Sequence, residues 1–314
     1  MSVQQIADRA LLDLGKRLRA EHYRFVTPTP LTHQTYLQRF ATPLAKDWRD
    51  VFGWSMPFDH TLFAVDELAV LERAGIVERD GAMWRSTVRW SSLEGLLFAH
   101  SAYPTTQSDS VFFGPDSYRF AQLIEAHLQQ RFEPIRRVVD IGCGAGVGAL
   151  VVARARHDAQ VLAVDINPKA LRLSAVNAEL AGANNVSVYH SDILGSVEGQ
   201  FDLIIANPPY MNDGQQRAYR HGGGALGEAL SLRIVRESLP RLDSGGSLVL
   251  YTGVAMVAGQ DPFLDAVLPM LTGDAFGWTY RELDPDVFGE ELLKPGYERA
   301  ERIAVVALTV TRRH

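Results

Sequence analysis

The sequence predicts an α/β fold in which helices cover a mostly parallel sheet. From about residue 117 to residue 239, short apolar runs of strand length alternate with helical patterns. Such alternation is typical of parallel strands joined by right-handed crossovers. The first two runs end in an acid, and a glycine-rich turn follows the first. Near the end of the chain, the apolar runs at 277–283 and 303–310 have no helical pattern between them, which indicates an antiparallel pair.

Length and composition limit the classes of protein to consider. The chain has 314 residues, of which 46% are hydrophobic, so it has room for more than one domain. We expect a cytoplasmic protein without a membrane span, because the start lacks the pattern of a secretory signal and no apolar run is long enough. The net charge of −6 argues against a broad surface that neutralises phosphates.

The first hundred residues predict helices followed by a hairpin. Apolar residues recur at helical spacing over 3–21, and a second helix is expected at about Val65–Ala74. Between them, four prolines over residues 28–60 leave room for at most a short helix near Thr35–Phe40. Strands Ile76–Arg79 and Met83–Trp90 then flank an Asp80-Gly81 turn.

The helix and hairpin together resemble a winged helix, and they predict a smaller N-terminal domain over residues 1–104. Acids and bases balance across residues 1–100, whereas a DNA-binding face would show a basic stripe. We therefore favour packing or protein docking over DNA binding for this domain. The polar, turn-rich residues 101–110 suit a linker or a flap, and residues 105–314 form the second predicted domain.

The glycine-rich turn is the centre of the predicted ligand site. The apolar strand at 138–141 contains Asp140 and leads into Gly142-Cys143-Gly144-Ala145-Gly146, before a helix at 147–156. Glycine lets the backbone turn tightly and lie against a ligand near the amides at a helix N-terminus. The dinucleotide fingerprint is incomplete, because Val147 stands where its third glycine would be.

Three later stretches support a nucleotide-like ligand. Asp165 ends the apolar run 161–165, a little over 20 residues beyond the first glycine, where such folds place a carboxylate against ribose hydroxyls. Strand 186–189 is followed by Asp192 and Ile193. Strand 201–206 leads into Asn207-Pro208-Pro209-Tyr210, which is the most specific signal in the chain.

Together these residues resemble the class I S-adenosylmethionine-dependent methyltransferases over roughly residues 110–314. The tetrapeptide resembles the subset that methylates nitrogen on planar amides or exocyclic amines. Within that subset, the segment Val111–Tyr118 is similar to the HemK-type glutamine N-methyltransferases that modify peptide-chain release factors. The resemblance implies a Rossmann-like seven-stranded methyltransferase sheet with an antiparallel edge strand, and S-adenosyl-L-methionine as cofactor.

The resemblance also implies roles for particular residues. The catalytic set is Asn207, Pro208, Pro209 and Tyr210. The cofactor-binding set is Asp140, Gly142, Cys143, Gly144, Gly146, Asp165, Ile166, Asp192, Ile193 and Asn207. Asp140 either orders the glycine loop or meets the amino-acid end of the cofactor, and Asp192 with Ile193 reads adenine. The alternative for these acids is that they only cap helices.

The chemistry needs positioning more than it needs a reactive side chain, because a sulfonium activates the methyl group. An amide or aniline-like nitrogen is a poor nucleophile. If the Asn207 oxygen and the Pro208 carbonyl accept its N–H bonds, they hold the nitrogen and stabilise the charge that develops on it. Stiff prolines keep these acceptors aimed, and Tyr210 can stack on the planar acceptor.

Three functions remain open on sequence alone. The leading hypothesis is methylation of a protein glutamine, with a release-factor-like protein as substrate. Its rival is methylation of an amino group on adenine or guanine in RNA or DNA, since the same tetrapeptide fits a flipped base. The third is a non-catalytic cofactor-binding module. We expect no membrane partner and no metal, because no His-Glu-x-x-His or cysteine–histidine cluster occurs.

Two loops are expected near the substrate. The basic stretch 217–224, which includes His221, either covers the substrate or is an exposed connector. The acid-rich segment Asp284–Glu301 is too long for a simple hairpin turn, and we expect it to form a substrate lip at the carboxyl edge of the sheet. Its acids would repel phosphates and suit a polypeptide with basic residues.

Overall fold

The computed structural model describes residues 2–131, 133–215, 217 and 219–314. Its strands in chain order are β1 (Val77–Asp80), β2 (Met83–Ser86), β3 (Val88–Leu93), β4 (Leu96–Ser101), β5 (Arg137–Ile141), β6 (Gln160–Asp165), β7 (Val186–His190), β8 (Phe201–Ala206), β9 (Leu242–Val257), β10 (Phe276–Asp284) and β11 (Ala300–Arg312). Its α-helices are α1 (Val3–Ala20), α2 (Pro30–Leu37), α3 (Trp48–Phe52), α4 (Val65–Arg73), α5 (Pro115–Gln130), α6 (Val147–Ala155), α7 (Pro168–Ala181), α8 (Ala229–Ser238) and α9 (Pro262–Val267).

A seven-stranded sheet in the order β10-β11-β9-β8-β5-β6-β7 dominates the fold. Strands β7, β6, β5, β8 and β9 are mutually parallel, and β11 is antiparallel to both β9 and β10. The predicted α/β class and seven-stranded sheet are confirmed. The antiparallel pair does lie at one edge, with β11 one place in from the outermost strand β10.

Alternate residues of the central strands face opposite sides of the sheet, and each side has its own apolar layer. Val138 and Leu203 belong to one layer, whereas Val139 and Ile204 belong to the other. The first layer includes apolar residues of α5, α6 and α7, and the second includes those of α8 and α9. This is why the central strands are apolar throughout instead of alternating with polar residues.

Two elements of the sheet domain differ from the prediction. The apolar run predicts a strand at 247–252, but β9 extends over 16 residues, with residues 247–257 paired to β11 and Leu242 paired to Phe201 of β8. The periodicity predicts a helix at 262–271, but the α-helix ends at Val267 and the chain continues as a 3₁₀ turn over Leu268–Leu271. Pro269 has no backbone N–H, so it cannot continue the α-helical hydrogen-bond pattern.

In the N-terminal part, helices α1 and α4 form where the periodicity predicts them. The short helix expected near residues 35–40 lies earlier, at Pro30–Leu37. Pro30 occupies the first helical position, where a missing N–H costs no hydrogen bond, and the Thr29 side chain caps the helix by accepting from the Thr32 amide. The proline therefore starts this helix instead of preventing it.

The single predicted strand Met83–Trp90 is wrong, because the chain changes partner at Thr87. Strand β2 ends at Ser86, and β3 then pairs with β4 in a separate two-stranded sheet. The Thr87 amide donates to the Ile76 carbonyl at 2.9 Å, and the Ser86 hydroxyl donates to the carbonyls of Ile76 and Val88. These bonds hold the bend between the two hairpins.

The N-terminal part packs directly on the helices that flank the large sheet. The Asn177 carboxamide on α7 donates to the Ala99 carbonyl of β4 and accepts from its amide, at 3.0 and 2.8 Å. Arg172 of α7 pairs with Asp8 of α1 at 2.5 Å. Residues on both sides of position 104 share one apolar layer, and the division into domains at 104/105 stays a prediction.

Among the residues that the structure describes, no helix is both long enough and apolar enough to cross a membrane.

Candidate active site

A cleft lies beyond the carboxyl ends of β5, β6 and β8, the edge at which parallel α/β sheets bind ligands. Its lining includes the predicted site residues Asp140, Gly142, Cys143, Gly144, Asp165, Ile166, Asp192, Ile193, Asn207, Pro208, Pro209 and Tyr210. Gly146 is the exception. It lies behind the cleft, where its φ of +82° begins α6 and its Cα faces the Ser174 hydroxyl.

Hydrogen bonds from neighbouring strands shape the glycine loop. Gly142 and Gly144 adopt φ of +68° and +54°, a region that side chains with a Cβ disfavour. The amides of Gly142 and Cys143 both donate to the Val164 carbonyl at the end of β6, at 2.9 and 3.0 Å. The Gly144 amide donates to the Asp165 carboxylate at 3.0 Å. The loop is therefore held by the next strand.

The carboxyl groups of Asp140, which is buried, and Asp165, which is half-buried, both line the cleft. The pKa of Asp140 is raised to about 7, mainly by burial, with the Asp165 charge acting in the same direction and a 2.8 Å hydrogen bond from the Ala149 amide opposing both. Burial also raises the pKa of Asp165, against hydrogen bonds from the amides of Asn167 and Gly144. Two acids that share a dry wall disfavour full ionisation, so a cationic ligand group would stabilise their charged forms.

Cys143 has no nucleophilic character in this site. Its side chain is buried, and burial raises the pKa of its thiol well above the ordinary value, with the charges of Asp165 and Asp140 acting in the same direction. The thiolate is the reactive form of cysteine, so this residue remains a neutral, small wall of the loop.

The other wall carries an apolar surface and an ion pair. Ile166 lines the cleft with 52% of its side chain exposed, which is unusual for isoleucine and suits contact with a flat ligand face. Ile193 also lines the cleft, and it is buried with φ of +51°. Both carboxylate oxygens of Asp192 accept from the Arg233 guanidinium at 2.9 Å, a contact that the sequence pattern did not predict.

The tetrapeptide follows β8 directly and forms the floor of the cleft. Among the described residues, none forms a hydrogen bond with the Asn207 carboxamide, so its oxygen and NH₂ are available to a ligand. Tyr210 is 7% exposed, and its ring lies directly against the backbone of Gly253 on β9. Its hydroxyl donates to Asp116 Oδ2 at 2.6 Å.

Asp116 lies in the first turn of α5 and belongs to the segment 111–118. The sequence pattern predicts no role for this residue. It is 4% exposed, it lines the cleft, and it accepts a second hydroxyl, from Tyr251 of β9, at 2.8 Å. Burial raises its pKa, and these two hydrogen bonds oppose the shift. An acid in the first turn of a helix ordinarily suggests only a favourable interaction with the helix dipole, so the sequence held no signal for this contact.

The loop after the tetrapeptide lies over the cleft. Tyr219 and Arg220 of this loop line the cleft. The Tyr219 hydroxyl donates to the Thr105 carbonyl at 2.6 Å. The Met211 amide donates to the Arg220 carbonyl at 3.0 Å. His221 forms an isolated bridge with Met211. This geometry favours the covering role over the exposed connector for residues 219–221.

The segment 284–301 contacts the same region. Phe288 adopts φ of +53° and lines the cleft, and the Tyr297 hydroxyl accepts from the Asn212 amide at 2.7 Å. The buried Glu291 pairs with Arg220 and with Lys294. Burial raises the pKa of Glu291, but hydrogen bonds from Lys294 and Arg220 outweigh it and hold the pKa below the ordinary value.

Within the described ranges, no group of three or more histidine, cysteine, aspartate or glutamate side chains could hold a metal ion.

The glycine loop, Asp140, Asp165 and the tetrapeptide fall within a stretch that matches a known family. Residues 110–256 match the family described as methyltransferase small domain. This match covers a little under half of the chain. The matched range begins at Ser110, shortly before α5, and ends within β9, so it contains the glycine loop, Asp140, Asp165 and the tetrapeptide.

Curated proteins of two kinds are similar to parts of this chain. The release factor glutamine methyltransferase of Escherichia coli is 32% identical over 144 residues, which cover 42% of this chain and 51% of the relative. The ribosomal RNA small subunit methyltransferase C of Haemophilus influenzae is 37% identical over 122 residues, 38% of this chain and 36% of the relative. The chain thus spans about half or less of the length of these relatives.

Among solved structures, a transferase candidate from Pyrococcus horikoshii superposes with a TM-score of 0.51 and 14% identity. The alignment covers 79% of this chain and 82% of that one. At this level of identity, the similarity shows a shared fold.

Proposed function

We propose that this chain is an S-adenosylmethionine-dependent N-methyltransferase acting on a planar amide or amine nitrogen, with a protein glutamine side chain as the favoured acceptor. One observation carries the proposal. A single cleft brings together the glycine loop, the wall carboxylates, the Asp192–Ile193 pair and the Asn207–Tyr210 tetrapeptide, although 70 positions separate residue 140 from residue 210.

The residues present fit the cofactor. The open glycine turn leaves backbone next to the cleft uncovered at Gly142 and Gly144, where even an added Cβ would meet no atom within 4 Å. Asp165 would take the ribose hydroxyls, and Asp140 would take the amino-acid end. Ile166 and Ile193 would contact the adenine faces, and Asp192 its amino group. When bound, the cofactor supplies a methyl group activated by its sulfonium.

This chain's own residues would position the acceptor. The unengaged oxygen of Asn207 and the Pro208 carbonyl would accept the two N–H bonds of a carboxamide, turning its nitrogen toward the methyl group. As the nitrogen gains positive charge, both acceptors interact with it more strongly, so the contact favours the transition state over the ground state. The two prolines restrict the backbone of the floor and keep those acceptors in place.

A protein acceptor is favoured over a nucleic acid for two reasons. The net charge is −6, and the release factor glutamine methyltransferase relative shares 32% identity over 144 residues. Pro30 of the predicted N-terminal domain lines the cleft, so this domain would form part of the docking rim. The alternative, methylation of an RNA base, is supported by the 37% identical ribosomal RNA methyltransferase.

The deciding experiment uses cofactor carrying a radiolabelled methyl group. Purified protein is incubated separately with peptide-chain release factor and with small ribosomal subunits, and each product is treated with protease or nuclease. The Asn207→Ala variant is the matched control, because its cofactor affinity should stay close to the wild-type value while methyl transfer is lost.

Label that protease releases, in a peptide whose mass places the methyl group on glutamine, supports the proposal. Label released only by nuclease would establish the RNA alternative instead. If the wild-type protein binds the demethylated cofactor product yet labels neither substrate nor any component of a cell extract, the proposed methyl transfer is wrong.

A further inference from the structure

The Asp116 carboxylate connects three parts of the active-site region. It accepts the Tyr210 hydroxyl from the tetrapeptide at 2.6 Å and the Tyr251 hydroxyl from β9 at 2.8 Å. The Arg119 guanidinium donates to it at 3.4 Å and to Asp284, where the lip begins, at 2.7 Å. Two short hydroxyl bonds and a nearby cation are the partners that a buried carboxylate requires.

Tyr210 is the residue through which this carboxylate can control the catalytic floor. Its ring is confined by Gly253 beneath it, and its hydroxyl is confined by Asp116. Tyr210 is joined to Pro209 by one peptide bond, and Asn207 and Pro208, which carry the acceptors, come immediately before Pro209 in the chain. Since the hydroxyl contact fixes the far end of a rigid aromatic side chain, it limits how the floor can rotate.

We infer that Asp116 is a positioning residue for the methyl-transfer reaction, and that its bond to Tyr210 sets the orientation of the Asn207–Pro208 acceptors. Its bond to Tyr251 has a different consequence. Tyr251 lies on β9 and outside the cleft lining, so that bond fastens α5 to the sheet without touching the catalytic floor. The inference rests on the proposed function for its kinetic part, and its structural part stands independently.

The two tyrosines provide a matched pair of variants. Tyr210→Phe and Tyr251→Phe each remove one buried hydroxyl that donates to the same carboxylate, at nearly equal distances, and each keeps its ring. If Asp116 served only to stabilise the fold, both variants would have a lower free energy of unfolding, and their turnover would be the same. If Asp116 positions the floor, only Tyr210→Phe changes turnover.

The kinetic measurement uses the substrate that the labelling experiment identifies. We expect Tyr210→Phe and Asp116→Asn to lower kcat about tenfold or more, with KM and the affinity for S-adenosylhomocysteine within about twofold of wild type. We expect Tyr251→Phe to keep kcat within about twofold. Because Asp116 acts through Tyr210, the double variant Asp116→Asn/Tyr210→Phe should be little worse than either single variant.

A second measurement needs no substrate. The amides of Met211 and Asn212 are hydrogen-bonded to the Arg220 carbonyl and the Tyr297 hydroxyl, so their hydrogen exchange reports how firmly the segment after the floor is held. We expect Tyr210→Phe and Asp116→Asn to speed this exchange at least several-fold and Tyr251→Phe to leave it unchanged.

The outcomes separate this inference from the proposed function. If no substrate is ever methylated but exchange changes as expected, the proposed function fails and the positioning contact stands. Equal exchange in the two tyrosine variants, a fully active Tyr210→Phe, or additive losses in the double variant would each overturn the role of Asp116.

Discussion

Gly253 offers a direct steric test of the catalytic floor. It lies in β9, where the ring of Tyr210 packs on its backbone, and a Cβ added at this position would be 2.9 Å from Tyr210 Cζ and still nearer to Cδ2 and Cε2. Carbon atoms in contact lie about 3.5–4.0 Å apart, so even Cζ, the farthest of the three ring atoms, must move away by roughly 0.6–1.1 Å. Gly253→Ala therefore moves the tyrosine without altering any polar group.

The size of that displacement sets the expected loss. A misplacement of about 1 Å at a positioned group can cost on the order of 10²-fold in rate. Overpacking of this kind typically destabilises a fold by about 1–3 kcal/mol, which a domain of this size can tolerate. We expect Gly253→Ala to lower kcat by about 10- to 100-fold while cofactor affinity stays close to wild type, because the three atoms nearest to the added methyl group all belong to Tyr210.

The control is Gly277→Ala on β10. It makes the same change in the same sheet, but its Cβ would meet nothing closer than 3.8 Å. Turnover is measured with labelled cofactor, and calorimetric titration with S-adenosylhomocysteine measures affinity. The reasoning is refuted if Gly253→Ala turns over as fast as Gly277→Ala, or if a crystal structure of the variant shows the Tyr210 ring in its original place.

The remaining predictions concern binding, chemistry and pH. Asp165→Ala should weaken cofactor binding by about 1–3 kcal/mol, the scale for losing a charged acceptor, and unchanged affinity by calorimetry in a folded variant would remove Asp165 from the site. Asn207→Ala should keep cofactor affinity nearly intact but lower turnover by about 10²-fold or more, and near-normal turnover would disprove the role of its carboxamide. Burial lowers the pKa of the His100 imidazole well below its ordinary value. As the pH falls, this imidazole is therefore protonated in the unfolded chain before it is protonated in the folded one. We expect this difference to lower the free energy of unfolding by about 1 kcal/mol between pH 7.5 and pH 5.5. Urea unfolding at both values should show this loss in the wild type and a smaller one in His100→Gln.

Much of the site was predictable because its residues follow strands in the chain. Asp140 and Asp165 end or nearly end parallel strands, and Asn207 follows one directly. The carboxyl ends of parallel strands meet at one edge, so local periodicity together with the rule for ligand sites placed these residues together. The same reasoning predicted the sheet, because apolar runs of strand length are required wherever both faces are covered.

The contacts that hold the site in place were not predictable from local pattern. Asp116 and Tyr210 are 94 positions apart, and neither lies in a segment whose spacing implies the other. The same holds for Arg220 and Glu291, which join the covering loop to the lip. In the N-terminal part, the bend at Thr87 depends on hydrogen bonds to Ile76. The strand pattern continues through Thr87, so it gave no reason to divide the predicted strand Met83–Trp90 into two.

The charges of the lip bear on the choice of substrate in a way that the sequence could not show. In the sequence, the number of acids in this segment suggests that it repels phosphate. In the structure, however, Asp284 pairs with Arg119, Glu291 pairs with Arg220 and Lys294, and Glu298 accepts from the Gly296 amide. Those acids are used to hold the lip in place. A paired carboxylate repels phosphate weakly, because its cationic partner cancels most of its field beyond the distance between the two charges, and salt screens what remains beyond a Debye length. Under the proposed function, we therefore expect discrimination between a peptide and a nucleic acid to depend mainly on the shape of the cleft, which Phe288, Tyr219 and Pro30 line.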